Sequence, residues 1–415
     1  MNTRLGKNSL WLFDSRLVTQ ALMVVFTILL ARRLGSAGFG EYALLATTIF
    51  IGNMLTTFGT DMLLMREIAA RGDLSNLPAA LLLQLGLSAL FVALVVFCAP
   101  FFPNQSASTV LALRIYSLAL FPLAFYTVFT SALRGMERMN SYALLSLVTV
   151  LLQVIVVAFL PSGIVALVTW LLIIQISVTL LAGFFCTLQI HGFWQVWHFS
   201  LRTVPALIRA SAPIALLALL GMAYQKLSIY VLSALAGAAL TGWFSAALRA
   251  VEASKTVHVS VFTALYPAMA RAEPDSTGIF RLTWIFLLAG ATIIALILSL
   301  LAAPLVNILF GLDFAPSIPA LQILAWMLVP YTVNTYLTLA FVAAKQERMV
   351  AVALSASLLA LIIINLWWIP RFGLIGAAWA ALAAEIFQAL LLLAQHGFQI
   401  EFIKRGETHE FSELS

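Results

Sequence analysis

The stretch ERMVAVALSASLLALIIINLWWIPRFGLIGAAWAALAAEIFQALLLLAQ, residues 347–395, holds two apolar runs of about 20 residues on either side of Pro370-Arg371. A run of that length crosses the ~30 Å hydrocarbon core of a bilayer as a helix, so the segment reads as two spans, 350–369 and 373–395. Its opening Glu347-Arg348-Met349 has a counterpart 210 residues earlier, Glu137-Arg138-Met139. Moving outward, runs of the same kind occur near 206–235, 239–265, 281–302 and 317–343, and before them near 9–31, 39–61, 77–99, 109–133, 141–160 and 164–188. The count is twelve, six in each half.

Composition supports this reading. Of 415 residues, 63% are hydrophobic and 9% charged, against roughly 25% charged in a soluble domain. That excludes a soluble globular fold, and it also excludes disorder, which needs few apolar residues and high charge. A membrane β-barrel would show short segments of alternating polarity, and none is present. The net charge of +6 does not point to nucleic acid, because the basic residues sit singly between apolar runs instead of clustering on one wet face.

Basic residues do set an orientation, since cytoplasmic loops carry the excess of Lys and Arg. With the N-terminus inside, fourteen of the 22 fall on the cytoplasmic side, only Arg32, Arg33 and Arg371 fall outside, and five lie within spans. Both termini are expected in the cytoplasm. Asp14 and Arg16 interrupt the first apolar run and no small-residue cleavage site follows, so that run is expected to be an uncleaved span. Cys98 and Cys186 are read as apolar fillers placed too far apart to pair.

The halves repeat. Gly163 and Gly373 keep the offset of 210, and Leu34-Gly35-Ser36-Ala37-Gly38 matches Leu235-Ala236-Gly237-Ala238-Ala239 at an offset of 201. A repeat with an even number of spans gives copies of parallel topology. The expected fold is therefore an all-α polytopic membrane protein with 12 transmembrane helices, in two parallel-repeat six-helix bundles around a central cavity. Residues 1–190 form the first bundle, 191–205 a cytoplasmic interfacial linker rich in aromatics and cations, 206–400 the second bundle, and 401–415 a polar cytoplasmic tail.

No phosphate-cradling loop, metalloprotease helix, CxxC or GxSxG occurs, so transport is expected in place of catalysis, with no cofactor and no metal. The chemistry lies in ionisable residues inside spans, each costing about 2.5–3.5 kcal/mol at mid-bilayer unless it faces protein or water. Lys226 and Arg249 fall near the midplane; Arg16, Lys255 and His258 fall in the cytoplasmic half, and Arg114 near the outer face. Asp14 and Gln20 accompany Arg16, and Arg249, Glu252, Lys255 and His258 recur every third residue along one stripe. The bland reading is a set of internal ion pairs, Arg249 and Lys255 both on Glu252. Yet the five bases outnumber Asp14, Glu252 and Glu385 by two, and a basic interior attracts an anion. Arg suits bidentate phosphate recognition and Lys a point contact. Glu385 stands without a partner nearby in sequence, and either binds H⁺ or Na⁺ or pairs with a distant helix.

The twelve spans, the segment Leu34-Gly35-Ser36-Ala37-Gly38-Phe39-Gly40-Glu41-Tyr42 and the turn Arg134-Gly135-Met136-Glu137-Arg138 resemble Wzx-type oligosaccharide flippases over residues 5–400. These form the polysaccharide transporter branch of the multidrug/oligosaccharidyl-lipid/polysaccharide exporter superfamily. The resemblance implies a cationic cavity between two bundles, alternating access, and an undecaprenyl-diphosphate-linked oligosaccharide as cargo, with Arg16, Lys226, Arg249 and Lys255 on the diphosphate. It further implies a bacterial inner-membrane location, contact with membrane lipid, and work beside a polysaccharide polymerase and chain-length regulator. The rival readings are a MATE-like cation-coupled drug exporter, which needs spare buried carboxylates, and a flippase for lipid II-type precursors. A membrane glycosyltransferase would show a large outer loop, which this chain lacks.

Overall fold

The computed structural model describes the backbone of residues 3–159, 163–198, 202–271, 277–344 and 346–412, and the side chains of 18–159, 163–198, 202–212, 215–255, 284–344 and 346–395. Within these residues there are fourteen α-helices and no strand. In chain order they are α1 (Thr3–Thr57), α2 (Thr60–Arg71), α3 (Leu77–Cys98), α4 (Ala107–Ser117), α5 (Leu120–Gly135), α6 (Met139–Phe159) and α7 (Ile164–Gln189). Then follow α8 (Val204–Ala236), α9 (Ala238–Arg271), α10 (Thr277–Leu300), α11 (Ala302–Leu309), α12 (Ile318–Ala325), α13 (Leu328–Ala343) and α14 (Glu347–Ser412).

The count departs from twelve in both directions, for local reasons. Two pairs of expected spans run together: α1 carries the run 9–31 and that at 39–61 as far as Thr57, and α14 carries 350–369 and 373–395. The breaks inside them are Gly35 (φ 66°) and Gly373 (φ 53°), left-handed positions that glycine takes without a Cβ penalty. Other expected spans are divided. The run 109–133 is α4 followed by α5, and 317–343 is α12 followed by α13, bent by 42°. Seven described helical segments are long and apolar enough to cross a membrane, or nine counting two bent pairs. The 34-residue α9 is long enough, but Arg249, Glu252 and Lys255 put three charges in its described half. The expected polar tail begins as a continuation of α14, which stays helical to Ser412.

The chain divides into two compact units, Met1–Met222 with Gly237–Gly242, and Ala223–Ala236 with Trp243–Ser415. In the first, α1 packs on α6, α2 on α5, and α7 on α4 and α5. Its apolar interior encloses a few polar links: Gln84 Nε2 donates to Thr60 Oγ1 (2.8 Å), which donates to the Thr57 carbonyl (2.6 Å). The 191–205 linker contributes a tight turn, Phe193–Val196, whose rings pack on the bundle. Phe193, Trp194 and Trp197 all lie within 6.4 Å of the Phe129 ring, and Trp194 donates to Thr187 Oγ1 while staying 54% exposed. An amphipathic indole at such a site suits the headgroup level. Cys186 is buried and Cys98 exposed, both free.

The first unit also contains a close backbone crossing. Gly35 and Gly237 share one conformation, φ 66° with ψ −178° and φ 84° with ψ −178°. That pairs them at an offset of 202, one more than residue identity suggested. Five residues further on, the crossing is reciprocal: a Cβ on Gly40 would stand 1.8 Å from the Ala238 carbonyl oxygen, and one on Gly242 would stand 1.9 Å from that of Ser36. Ser36 and Ala238, like Gly40 and Gly242, are 202 residues apart. In the second unit α13 packs on α10 and α14, and α12 on α14.

Candidate functional site

Three cations and two carboxylates of the second unit lie on α8, α9 and α14, and α13 adds Tyr331 and Asn334 to them. Glu252, on α9, stands between two bases. Lys226 Nζ on α8 lies 3.0 Å from Glu252 Oε1, and Arg249 Nη1, one turn earlier on α9, lies 3.4 Å from Oε2. The three differ in exposure. The Lys226 side chain is 13% exposed and that of Glu252 28%, while Arg249 is 44% exposed.

Lys255 goes elsewhere, and helix geometry says why. Steps of three residues rotate by 300°, so six residues carry Lys255 about 120° around the axis from Arg249. With both oxygens of Glu252 already engaged, Lys255 turns to α14 and α13: its Nζ lies 3.8 Å from Glu385 Oε1 and 4.2 Å from the Tyr331 ring centroid. Cation–π contact of this kind is worth about 2 kcal/mol when desolvated. Glu385 therefore does pair with a distant helix. Its other oxygen, Oε2, accepts from Asn334 Nδ2 at 2.7 Å, and the same nitrogen reaches the Glu385 carbonyl at 3.0 Å. Both residues are buried.

The bland expectation placed Arg249 and Lys255 on one carboxylate; the structure keeps the first pair and replaces Lys255 with Lys226. Asn334 escaped the sequence reading, as did Asn365, which donates to Ser228 Oγ on α8 (3.1 Å) and is fully buried. Their signal was an amide inside an apolar run, Val333-Asn334-Thr335 and Ile364-Asn365-Leu366. An amide there is costly unless hydrogen-bonded.

The remaining candidates divide. Asp14, Arg16 and His258 lie outside the described side chains. Gln20 is exposed on the first unit. Arg114 is half-buried on α4, with its Nε enclosed and without a hydrogen-bond partner. Three bases against two acids leave the α8–α9–α13–α14 cluster with one surplus positive charge, and its most open member, Arg249, makes a single long contact through a five-donor guanidinium. The described residues contain no group of three or more metal-ligating side chains.

This fold, helical with several apolar spans and a polar interior, is similar to that of solved membrane transporters of the MOP superfamily. An inward-facing multidrug resistance MATE family transporter superposes with a TM-score of 0.74 at 14% identity, over 93% of this chain and 96% of that one. The lipid II flippase MurJ in an inward closed conformation gives 0.71 at 15%, over 93% and 87%. A MOP superfamily transporter from Pyrococcus furiosus, described with a binding pocket of reverse polarity, gives 0.63 at 16%, over 95% of each chain. At such identities the likeness is one of fold. Sequence is more specific: residues 5–273 match the model of the polysaccharide biosynthesis protein family, and the chain belongs to that family. Stage V sporulation protein B of Bacillus subtilis (strain 168) is 32% identical over 177 residues, 38% of this chain. That match spans about a third, 33%, of the curated relative's length.

Proposed function

We propose that this chain is a flippase that moves an undecaprenyl-diphosphate-linked oligosaccharide from the cytoplasmic to the outer leaflet by alternating access, through twelve spans with both termini in the cytoplasm. The observation that supports it most is Arg249, whose guanidinium has one 3.4 Å contact, to a carboxylate already held by Lys226. Its free N–H groups form a fork of the geometry that phosphate oxygens accept.

The physical problem is the transfer of a diphosphate and several sugars across hydrocarbon, where each unpaired polar group costs several kcal/mol. Fixed donors replace the lost water while the isoprenoid tail stays in lipid. Arg249 and Lys226 take the headgroup, with Glu252 as the counterion that holds them apart from it until it arrives. Arg16 and His258 are the cytoplasmic entry residues in this reading. Lys255, engaged by Glu385 and Tyr331, is not needed on the diphosphate. The family's description, polysaccharide biosynthesis, fits a glycan cargo. A cationic drug is a poor fit, since both carboxylates of the cluster already carry bases.

The test is reconstitution of the full chain in vesicles carrying a fluorescent polyprenyl-diphosphate oligosaccharide in one leaflet. Protein-dependent arrival in the other leaflet is expected, without uptake of a cationic dye. Dye transport with a stationary glycolipid would overturn the reading.

A further inference from the structure

Glu385 is buried in the second unit, and its positive neighbour is an ammonium covalently part of the chain. Lys255 Nζ lies 3.8 Å from Oε1, beyond hydrogen-bond distance, and 4.2 Å from the centroid of the Tyr331 ring. It is thus held by charge and by a π-face, with little direction imposed. A dissolved monovalent cation asks for the same surroundings.

Two oxygen acceptors nearby support that comparison. Asn334 spends its Nδ2 on Glu385, and its Oδ1 is buried without a donor. The Tyr224 hydroxyl is likewise buried without a hydrogen-bond partner, and Tyr224 belongs to the same buried cluster as Ala384, next in sequence to Glu385. A buried acceptor left unmade in a settled interior calls for an explanation such as an ion or a water. Carboxylate, amide carbonyl and phenol oxygen are hard ligands of the kind that suit hard cations.

We infer that Glu385, Asn334, Tyr224 and the Tyr331 ring make a monovalent-cation site that Lys255 fills from within, so that the protein works without Na⁺ from solution. Without the ammonium, the site carries one negative charge in a dry interior, and Na⁺ takes its place. This inference goes beyond the cargo and is independent of it.

The experiment uses the purified full-length protein in detergent, melted in NaCl, KCl and choline chloride at equal ionic strength. Wild type is expected to melt at one temperature in all three. Lys255→Ala melts lower in choline and is restored by NaCl alone; Na⁺ at ten times its dissociation constant favours the folded state about elevenfold. Lys255→Ala combined with Glu385→Gln loses that response. If Lys255→Ala does not purify, Lys255→Gln takes its place. A wild-type melting temperature that rises specifically with Na⁺ would overturn the inference, as would Lys255 variants that respond to no salt or fold in none. No glycolipid enters the assay, so its failure leaves the cargo reading standing, and failure of vesicle transport leaves this one standing.

Discussion

Replacing Arg249 with alanine should separate function from folding. The side chain is 44% exposed and its one contact to Glu252 is 3.4 Å long, which puts its contribution to stability among exposed helical pairs, about 0.2–1 kcal/mol. For a unit of this size that is a fall in Tm of roughly 1–4 °C. Glu252 keeps Lys226 at 3.0 Å, so no carboxylate is stranded. The effect on transport is of another order. Two charge-assisted hydrogen bonds to a phosphate group, at about 1.5–3 kcal/mol each, correspond to a loss of roughly 10²–10⁴-fold. Arg249→Lys restores the charge without the fork and should recover only part of it. The assay pairs lipid-linked oligosaccharide accumulation in cells with Tm of the purified variant at matched protein level. Wild-type surface glycan from Arg249→Ala would refute the phosphate role. A collapse of Tm would refute the claim that Arg249 is free to serve it.

Asn334→Ala removes both amide donors from Glu385 and should lower stability by about 1–3 kcal/mol, the cost of an unsatisfied buried acceptor; Asn334→Asp should be worse, and the order of the two Tm values checks it. Gly40→Ala and Gly242→Ala each drive a Cβ into a carbonyl oxygen, at 1.8 and 1.9 Å, so each should be strongly destabilising. Because both break one crossing, the double variant should cost less than the two singles together, as a double-mutant cycle by thermal melting would show. Asp73, in the loop before α3, accepts from the Ser75 backbone amide at 2.9 Å, and this bond, with the Ser75 hydroxyl next in effect, holds its carboxyl below the ordinary value. Its contribution is present above the unfolded pKa of about 3.9 and lost as pH falls through the lower folded value. The Tm gap between wild type and Asp73→Asn should close in that acid range.

Much of this was written in local sequence. Apolar run length located the helical material; Gly35 falls between the runs it divides, and Gly373 is the first residue of the second run of its pair. The Arg249–Glu252 pair is an (i, i+3) relation and needs no tertiary knowledge. The partners of Lys226 and Lys255 do need it: one is 26 residues away on another helix, the other 130, and which face each helix buries is decided by packing. The near-uniform hydrophobicity of the spans hides those faces, because lipid and core are both apolar and no polar side marks the outside. The letter match of Leu34 with Leu235 misses by one residue the pair of glycines, Gly35 and Gly237, that share a backbone conformation.

The meeting of Gly40 with Ala238 and of Gly242 with Ser36 leaves evolution little room. Main chain rests on main chain, so neither partner has a rotamer to swing aside or a methylene to trim when the other grows. Nor does the joint yield without cost, since dispersion contacts lose about a quarter to a half of their strength when parted by roughly 0.5–1 Å. The two glycines are therefore bound to one fate, and an enlarged residue at either position finds no remedy at the other.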